Sequence, residues 1–258
     1  MNKRTRSILL TATIALVGLP ALGVSWMAWS IAHPAAEVLT LPDSLIASTS
    51  KAGAALPASR EAAADLSTLA AALQTQETRS GCGPASAATV LSALRGSRVS
   101  QDDVYSPEAR ALRSRLRTFF TGIPLDALGA MIRADGAQAT VTHAGDSTAQ
   151  AFRDAVRRNE STSGDYLVIN FFRSALGQDG GGHFSPVGAY DAASDRLLIL
   201  DVATFRYPPV WAPLPDVFAA MNTLDPESHT TRGWIEVSDS REGSPNSWSS
   251  SVRRDGGQ

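Results

Sequence analysis

A chain of 258 residues, 43% hydrophobic and 19% charged, can bury one sizeable core or two small ones. Its net charge of −2 gives no argument for nucleic acid or an anionic membrane surface as a partner. One cysteine excludes an internal disulfide and a cysteine-built metal site. His33, His143, His183 and His229 lie too far apart in sequence to suggest a ligand cluster, so no protein-held metal is expected.

Residues 1–33 read as a targeting segment. Lys3, Arg4 and Arg6 precede an uncharged, mostly apolar run, residues 7–32, which exceeds the about 20 residues that span a bilayer. A cleaved signal peptide and a retained anchor both fit. Either way the positive flank exports the remainder, so the expected location is the periplasm, with membrane contact only through residues 7–32 if they are kept. Residues 34–58, rich in Ala, Pro and Ser, read as an extended arm that docks through LTLPDSLIA. The domain proper is expected over 59–236, and residues 237–258, lacking aliphatic periodicity, as a disordered tail.

Within that domain, SREAAADLSTLAAAL (59–73) has apolar positions at helical spacing. A polar loop then leads to Cys82, which opens a second helix with Leu91 and Leu94 toward the core. Residues 99–120 read as a loop and a helix whose arginines form a solvated face. A helix follows over 122–137, with Pro124 in its first turn. ATVTHA is a short strand ending near His143, and 147–160 is an amphipathic helix opened by Ser147. YLVINFF (166–172) is a buried strand. After Asp201, Pro208 and Pro209 break the sheet, PLPDVFAAMNTL is a last helix and RGWIEV a last strand.

The segment between YLVINFF and those prolines carries chemistry. HFSPVGAY (183–190) and RLLILD (196–201) flank DAASD, a pattern of two antiparallel strands and a turn. Centring the turn near Ala193 places Asp201 opposite Ser185, on the face of His183 and one diagonal step away, roughly 7–8 Å between backbones. The triglycine Gly180 to Gly182 leaves room for a group to approach His183. Cys82, His183 and Asp201 are thus the parts of a thiol nucleophile, its base and the group that orients the base. Cys82 at a helix N-terminus also favours thiolate. The competing reading is an inert buried cysteine with ordinary strand-end polar residues. Gln74 and Gln76 are both near enough in sequence to serve as a neutral amide donor beside the nucleophile.

The runs GGHFSPVGAYD, ILDVATFRYPPVW and AMNTLDPESHTTRGW resemble the catalytic domain of phytochelatin synthase, the glutathione γ-glutamylcysteinyltransferase family, from about Val38 to Glu236. The resemblance implies an α+β papain-like fold, with a helical lobe and nucleophile helix packed on an antiparallel sheet. It implies a Cys82, His183 and Asp201 triad, Gln76 as the oxyanion donor, and Asp225 with Arg232 as substrate contacts. Gly182 and Phe184 would line the same pocket, and Arg173 would meet a second substrate's carboxylate. Glutathione is the implied partner, and heavy-metal ions such as cadmium and zinc would act as thiolate complexes of it, with no tightly bound cofactor. The family also tends to form homodimers. Its longer members follow the domain with a cysteine-rich region, so with only a short tail here, hydrolysis of glutathione is expected to exceed transfer. Two other readings stay open: a papain-like peptidase of the bacteriocin-leader-processing kind, and a non-catalytic module for thiol–metal complexes.

Overall fold

The computed structural model describes residues 37–56 and 60–239, with residues 23, 25–27 and 29. Apart from those scattered positions, the expected targeting segment lies outside the described residues, as does the tail beyond 239. Among the described residues no helix is long and apolar enough to cross a membrane.

Seven strands form one antiparallel sheet. They are β1 (Ile46–Ala47), β2 (Gln138–His143), β3 (Tyr166–Phe172), β4 (Gly182–Asp191), β5 (Arg196–Ile199), β6 (Val210–Pro213) and β7 (Gly233–Ser238). Their order is β1-β6-β5-β4-β3-β7-β2. The near-continuous apolar run of β3 follows from helices covering both faces of the sheet. Tyr166 and Val168 point into one core, Leu167, Ile169 and Phe171 into the other. The first core is roofed by α1 (Arg60–Ala72), α2 (Cys82–Arg95), α3 (Pro107–Leu112) and α5 (Leu125–Ala134), with α4 (Arg115–Thr121) beside them. The second is roofed by α6 (Ala149–Glu160) and α7 (Leu214–Met221). The architecture is α+β, and the sheet is a middle layer rather than the floor of a single helical lobe.

Most elements fall where the sequence puts them, and the differences have local causes. The 99–120 segment makes two short helices, because Ser106 and Ser114 each accept an N-cap hydrogen bond, from the Ala109 and Arg117 N–H groups. The helix expected from Ser147 is capped by Thr148, whose hydroxyl accepts from Ala151 N–H at 3.1 Å. Pro124 is the N-cap of α5 rather than a first-turn residue. The sheet does not stop at Pro208 and Pro209: β6 resumes directly after them and pairs with both β5 and β1. The arm thereby covers the sheet edge. Ile46 pairs with Trp211, whose buried indole N–H donates to Gly53 O at 3.1 Å. β7 runs to Ser238, two residues into the segment read as tail.

The β4–β5 hairpin positions the site. Near its turn the pairs are Asp191↔Arg196, Tyr190↔Leu197 and Ala189↔Leu198, but the next pair is Val187↔Ile199. Gly188 is therefore an extra residue, a bulge, and side-chain direction along β4 inverts across it. Phe184 and Ala189 face the first core, Val187 and Tyr190 the second. The Leu200 N–H still reaches Pro186 O at 3.0 Å, so Asp201 arrives level with Ser185.

At the far side of the sheet, β7 begins against the end of β2. A Cβ on Gly233 would stand 1.9 Å from Thr142 O, a clash with backbone that no rotamer relieves. Gly233→Ala should cost ~3 kcal/mol or more of stability, read as a lower urea midpoint at unchanged slope.

Candidate active site

Cys82 is the first residue of α2, behind an N-cap Gly81. The helix is buried from Cys82 to Ala93, and its small side chains allow the surrounding elements to close around it. The first-turn N–H groups of Cys82 and Gly83 have no intrahelical carbonyl to bond, and they set the positive end of the helix dipole at the sulfur.

His183, the second residue of β4, comes to Cys82 from the sheet. Its Nε2 donates to Asp201 Oδ1 at 2.9 Å, which leaves Nδ1 as the ring nitrogen for the thiol that hydrogen-bonds it. Phe171, the cross-strand partner of His183, meets the imidazole edge-on. Asp201 Oδ1 also accepts from Ala203 N–H at 2.8 Å and from Arg173 Nη2 at 2.8 Å. The other carboxylate oxygen lies 2.7 Å from the same Arg173 nitrogen. Cys82, His183, Asp201 and Arg173 are all buried, with exposures of 8%, 4%, 1% and 3%.

These four groups alternate in sign and tune one another. Burial pushes the Cys82 thiol up. The His183 hydrogen bond and charge, the Phe184 N–H and the Arg173 charge outweigh it, and the thiol titrates below its ordinary value. For His183, burial and Arg173 push down, while Asp201 and the contact with Cys82 lift the imidazole above its ordinary value. Burial pushes Asp201 up, but His183 and Arg173 hold it well below the usual carboxylate range. Both shifts favour the thiolate and imidazolium pair over the neutral one. Arg173 acts on both at once: its charge favours the thiolate and opposes the rise of the imidazole.

Arg173 thus differs from the expectation attached to it. Its guanidinium is taken up by Asp201 and by Gln178 Oε1 at 2.8 Å, and it stacks 5.1 Å over the Tyr207 ring. Two of the three glycines, Gly180 and Gly182, are explained by the protein's own arginines. A Cβ on Gly180 would stand 2.9 Å from Arg173 Cδ. One on Gly182 would come within 3.2 Å of Arg232 Nε and Nη2.

The other expected residues divide. Gln76 lines the cleft with His183 and Gly182, and its backbone N–H bonds Val202 O at 2.8 Å, next to Asp201. Its side-chain amide donates to the carbonyls of Thr78 at 2.7 Å and Arg79 at 3.0 Å, leaving Oε1 without a partner. Donation to an oxyanion would require the amide to turn. Gln74 is structural: it ties the loop to Ser92 and Val99 O. Phe184 contributes its N–H to the sulfur, but its ring lies in the first core rather than in a pocket. Arg232 stands beside Gly182 with Asp225 Oδ2 3.5 Å from Nη2. Its Nη1 donates to Thr223 and Leu224 O, and its buried Nε has no partner.

Sequence reasoning missed the group that holds this loop. Arg113, expected on a solvated face, is 3% exposed and pairs with Glu227 through two hydrogen bonds of 2.5 and 2.8 Å. Two residues from Asp225, that bridge pins the 222–232 loop to α3. The signal was Glu227, the second acid of DPESH, facing an arginine-rich run over a hundred residues away, which no local pattern connects. Also missed was a cavity of about 200 Å³ beside His183, whose charged lining includes Glu37, Arg79 and Arg206.

The phytochelatin synthase family model matches residues 36–234. A glutathione gamma-glutamylcysteinyltransferase 3 of Lotus japonicus is 39% identical over 117 residues, 45% of this chain and 24% of that protein. A glutathione gamma-glutamylcysteinyltransferase 2 of Arabidopsis thaliana is 35% identical over 117 residues, covering 45% and 26%. The glutathione gamma-glutamylcysteinyltransferase of Schizosaccharomyces pombe is 32% identical over 114 residues, covering 44% and 28%. These alignments span about a quarter of the relatives' own length.

The geometry fixes the sign of a pH experiment. Alkylation of Cys82 by iodoacetamide should follow a thiol titrating below its ordinary value. In His183→Ala the burial remains while the largest opposing contributions are lost, so the midpoint should move upward from the wild-type position. Thiolate at neutral pH then falls about tenfold for each unit of upward shift.

Proposed function

The chain belongs to the phytochelatin synthase family, and from that premise we propose that it is an acyltransferase cleaving the Cys–Gly bond of glutathione through a thioester on Cys82. One observation carries the reading: a buried Cys82, His183 and Asp201 assembled at a helix N-terminus in a chain of this family. The printed names of the relatives support glutathione as the donor.

In this reading the Cys82 thiolate attacks the carbonyl carbon of the Cys–Gly peptide. Negative charge develops on the carbonyl oxygen, which the N–H groups at the start of α2 and the turned amide of Gln76 stabilise. His183 Nδ1 gives its proton to the glycine nitrogen as the C–N bond breaks. Asp201 holds the ring and its charge during that step. The γ-glutamylcysteinyl thioester then passes to water or to an amine, with water the larger acceptor. The γ-glutamyl end, with its ammonium and carboxylate, is matched by Asp225 and Arg232. The unpartnered Arg232 Nε beside Gly182 supports that placement.

The fold is read as papain-like, on the strength of a nucleophile helix against an antiparallel sheet bearing the base. The reading extends to an exported, periplasmic enzyme that is a homodimer. Cadmium and zinc arrive as glutathione thiolates rather than as protein ligands.

Mass spectrometry after brief mixing with glutathione should show a γ-glutamylcysteinyl adduct on Cys82, absent in Cys82→Ala. Neither an adduct nor glycine release would overturn the reading. Asp225→Asn and Arg232→Lys should each raise KM about 10–100-fold, the loss expected for a hydrogen bond to a charged group, with a smaller effect on kcat.

A further inference from the structure

The large hydrophobic side chains left exposed on the described domain are not scattered. Between residues 37 and 239 they are Val38, Leu112, Leu116, Phe120 and Leu224, and all belong to segments that border the cleft. Val38 follows Glu37, which lines the cavity beside His183. Leu224 O accepts from Arg232 Nη1 at 2.8 Å, and Arg232 stands beside Gly182 in the cavity wall. Leu116 lines a second hollow, of about 420 Å³, with Phe119, Gly81 and Pro84 against the first turn of α2. The two hollows share one wall, the 76–81 loop that leads into Cys82. Ser80 ties that loop to α4, its hydroxyl donating to Phe119 O at 2.7 Å. Glu227 then binds Arg113 at 2.8 Å, Arg117 at 2.9 Å and Thr121 at 3.1 Å. Each of these is the residue after Leu112, Leu116 or Phe120. The polar neighbours make the attachment and the apolar side chains are left outside, with Leu116, Phe120 and Leu224 at 68%, 66% and 69% exposure.

Single apolar residues on a surface need no partner, whereas a set of them around one opening marks contact with something apolar. The sequence of the chain says what that is. Residues 7–32 carry no charge and are long enough to span a bilayer. Trp26 and Trp29 stand near the end of this run, and tryptophan collects at the boundary of lipid and water. Only His33 to Glu37 separate Ala32 from Val38. At no more than about 3.6 Å per residue, that stretch reaches at most about 22 Å. A membrane that holds the run therefore lies within that distance of the cleft rim. The charges beside Leu116 do not oppose this: Arg115 pairs with Asp102 at 2.5 Å and Arg117 with Glu227 at 2.9 Å. The border is nearly neutral, so the contact it suits is apolar insertion rather than attraction to anionic lipid.

We infer that the domain makes a second membrane contact beside the N-terminal run. Leu116, Phe120 and Leu224, with Leu112 and Val38 at their margins, rest in the headgroup layer of the bilayer that holds residues 7–32. The cleft then opens along the membrane surface, and substrate reaches Cys82 from the water layer next to lipid. The inference rests on the export reading above, in the form that keeps residues 7–32 as an anchor.

The test uses the full chain in vesicles of phosphatidylethanolamine and phosphatidylglycerol, with a nitroxide on the acyl chain of a minor lipid as quencher. Cys82→Ala removes the native thiol, and a fluorescent label is attached to one introduced cysteine at a time. Leu116→Cys, Phe120→Cys and Leu224→Cys report on the rim. Thr162→Cys, exposed just past α6 on the other face of the sheet, is the reference, and Ala21→Cys reports on the anchor. Rim labels should be quenched about twofold or more beyond the Thr162 label, as groups set about 5–10 Å into the headgroup boundary would be. The difference should persist in high salt, since no net charge draws the rim to lipid. Iodide in the water phase should quench in the reverse order, which a misfolded chain would not show. Rim labels quenched no more than Thr162, while Ala21 is quenched, would overturn the inference and leave the anchor standing. An unquenched Ala21 label would remove the anchor, and the inference with it. Rim labels shielded from iodide without lipid, and only at high protein concentration, would overturn it in favour of a second copy on this face.

Discussion

Four buried ionisable groups in a row, from sulfur to imidazole to carboxylate to guanidinium, are the constraint that the rest of the structure accommodates. None of them could be taken out of water alone, since an isolated buried ion costs several kcal/mol even after relaxation. Each is therefore conditional on the next. The thiolate requires the imidazolium, the imidazolium requires Asp201, and Asp201 lies against Arg173, which is closed off by Gln178 and Tyr207. Four separate parts of the chain must dock together before any one is stable as an ion. Assembly of the fold and activation of the nucleophile are thus the same event.

Around this row the scaffold divides its labour. The helix supplies a positive end and free N–H groups; the sheet supplies a rigid base. The loop at 222–232 supplies a second cation, Arg232, and is itself fastened at a distance by Arg113 and Glu227. Glycines at 180 and 182 are small because two guanidinium groups pass close to the backbone there. A polar cleft results whose charges are mostly internal, with Arg79 and Glu37 left at its exposed wall.

The sequence was most legible where one periodicity governs a continuous segment. The helices at 60–72 and 149–160 and the strand at 166–172 follow directly from spacing. The hairpin that joins His183 to Asp201 was located correctly from a turn assumed to be regular. The true turn is tighter and the missing residue is the bulge at Gly188, so the two differences offset. Legibility failed where a residue's role is set by something remote. Pro208 and Pro209 end pairing locally, yet the arm gives β6 a partner from more than 150 residues away. Arg173 was readable as a cation near the site, but not as one facing inward. Whether Gln76 presents N–H or C=O depends on two carbonyls in its own loop, a matter of geometry that spacing cannot carry.

The bulge also makes the triad depend on parity. Between His183 and Asp201 the chain reverses once and takes one extra residue, and side chains alternate faces at every step. Removing or adding a single residue within either strand between His183 and Asp201 would turn the carboxylate to the opposite side of the sheet, whereas a compensated pair, or a change confined to the turn at 192–195, would leave it in place. Length variation within the two strands of functional versions is therefore restricted to even steps or to bulge-for-bulge exchange, while the turn is free to vary. An odd change there would mark a chain that keeps the three residue types in its sequence while having lost the arrangement that makes them a unit.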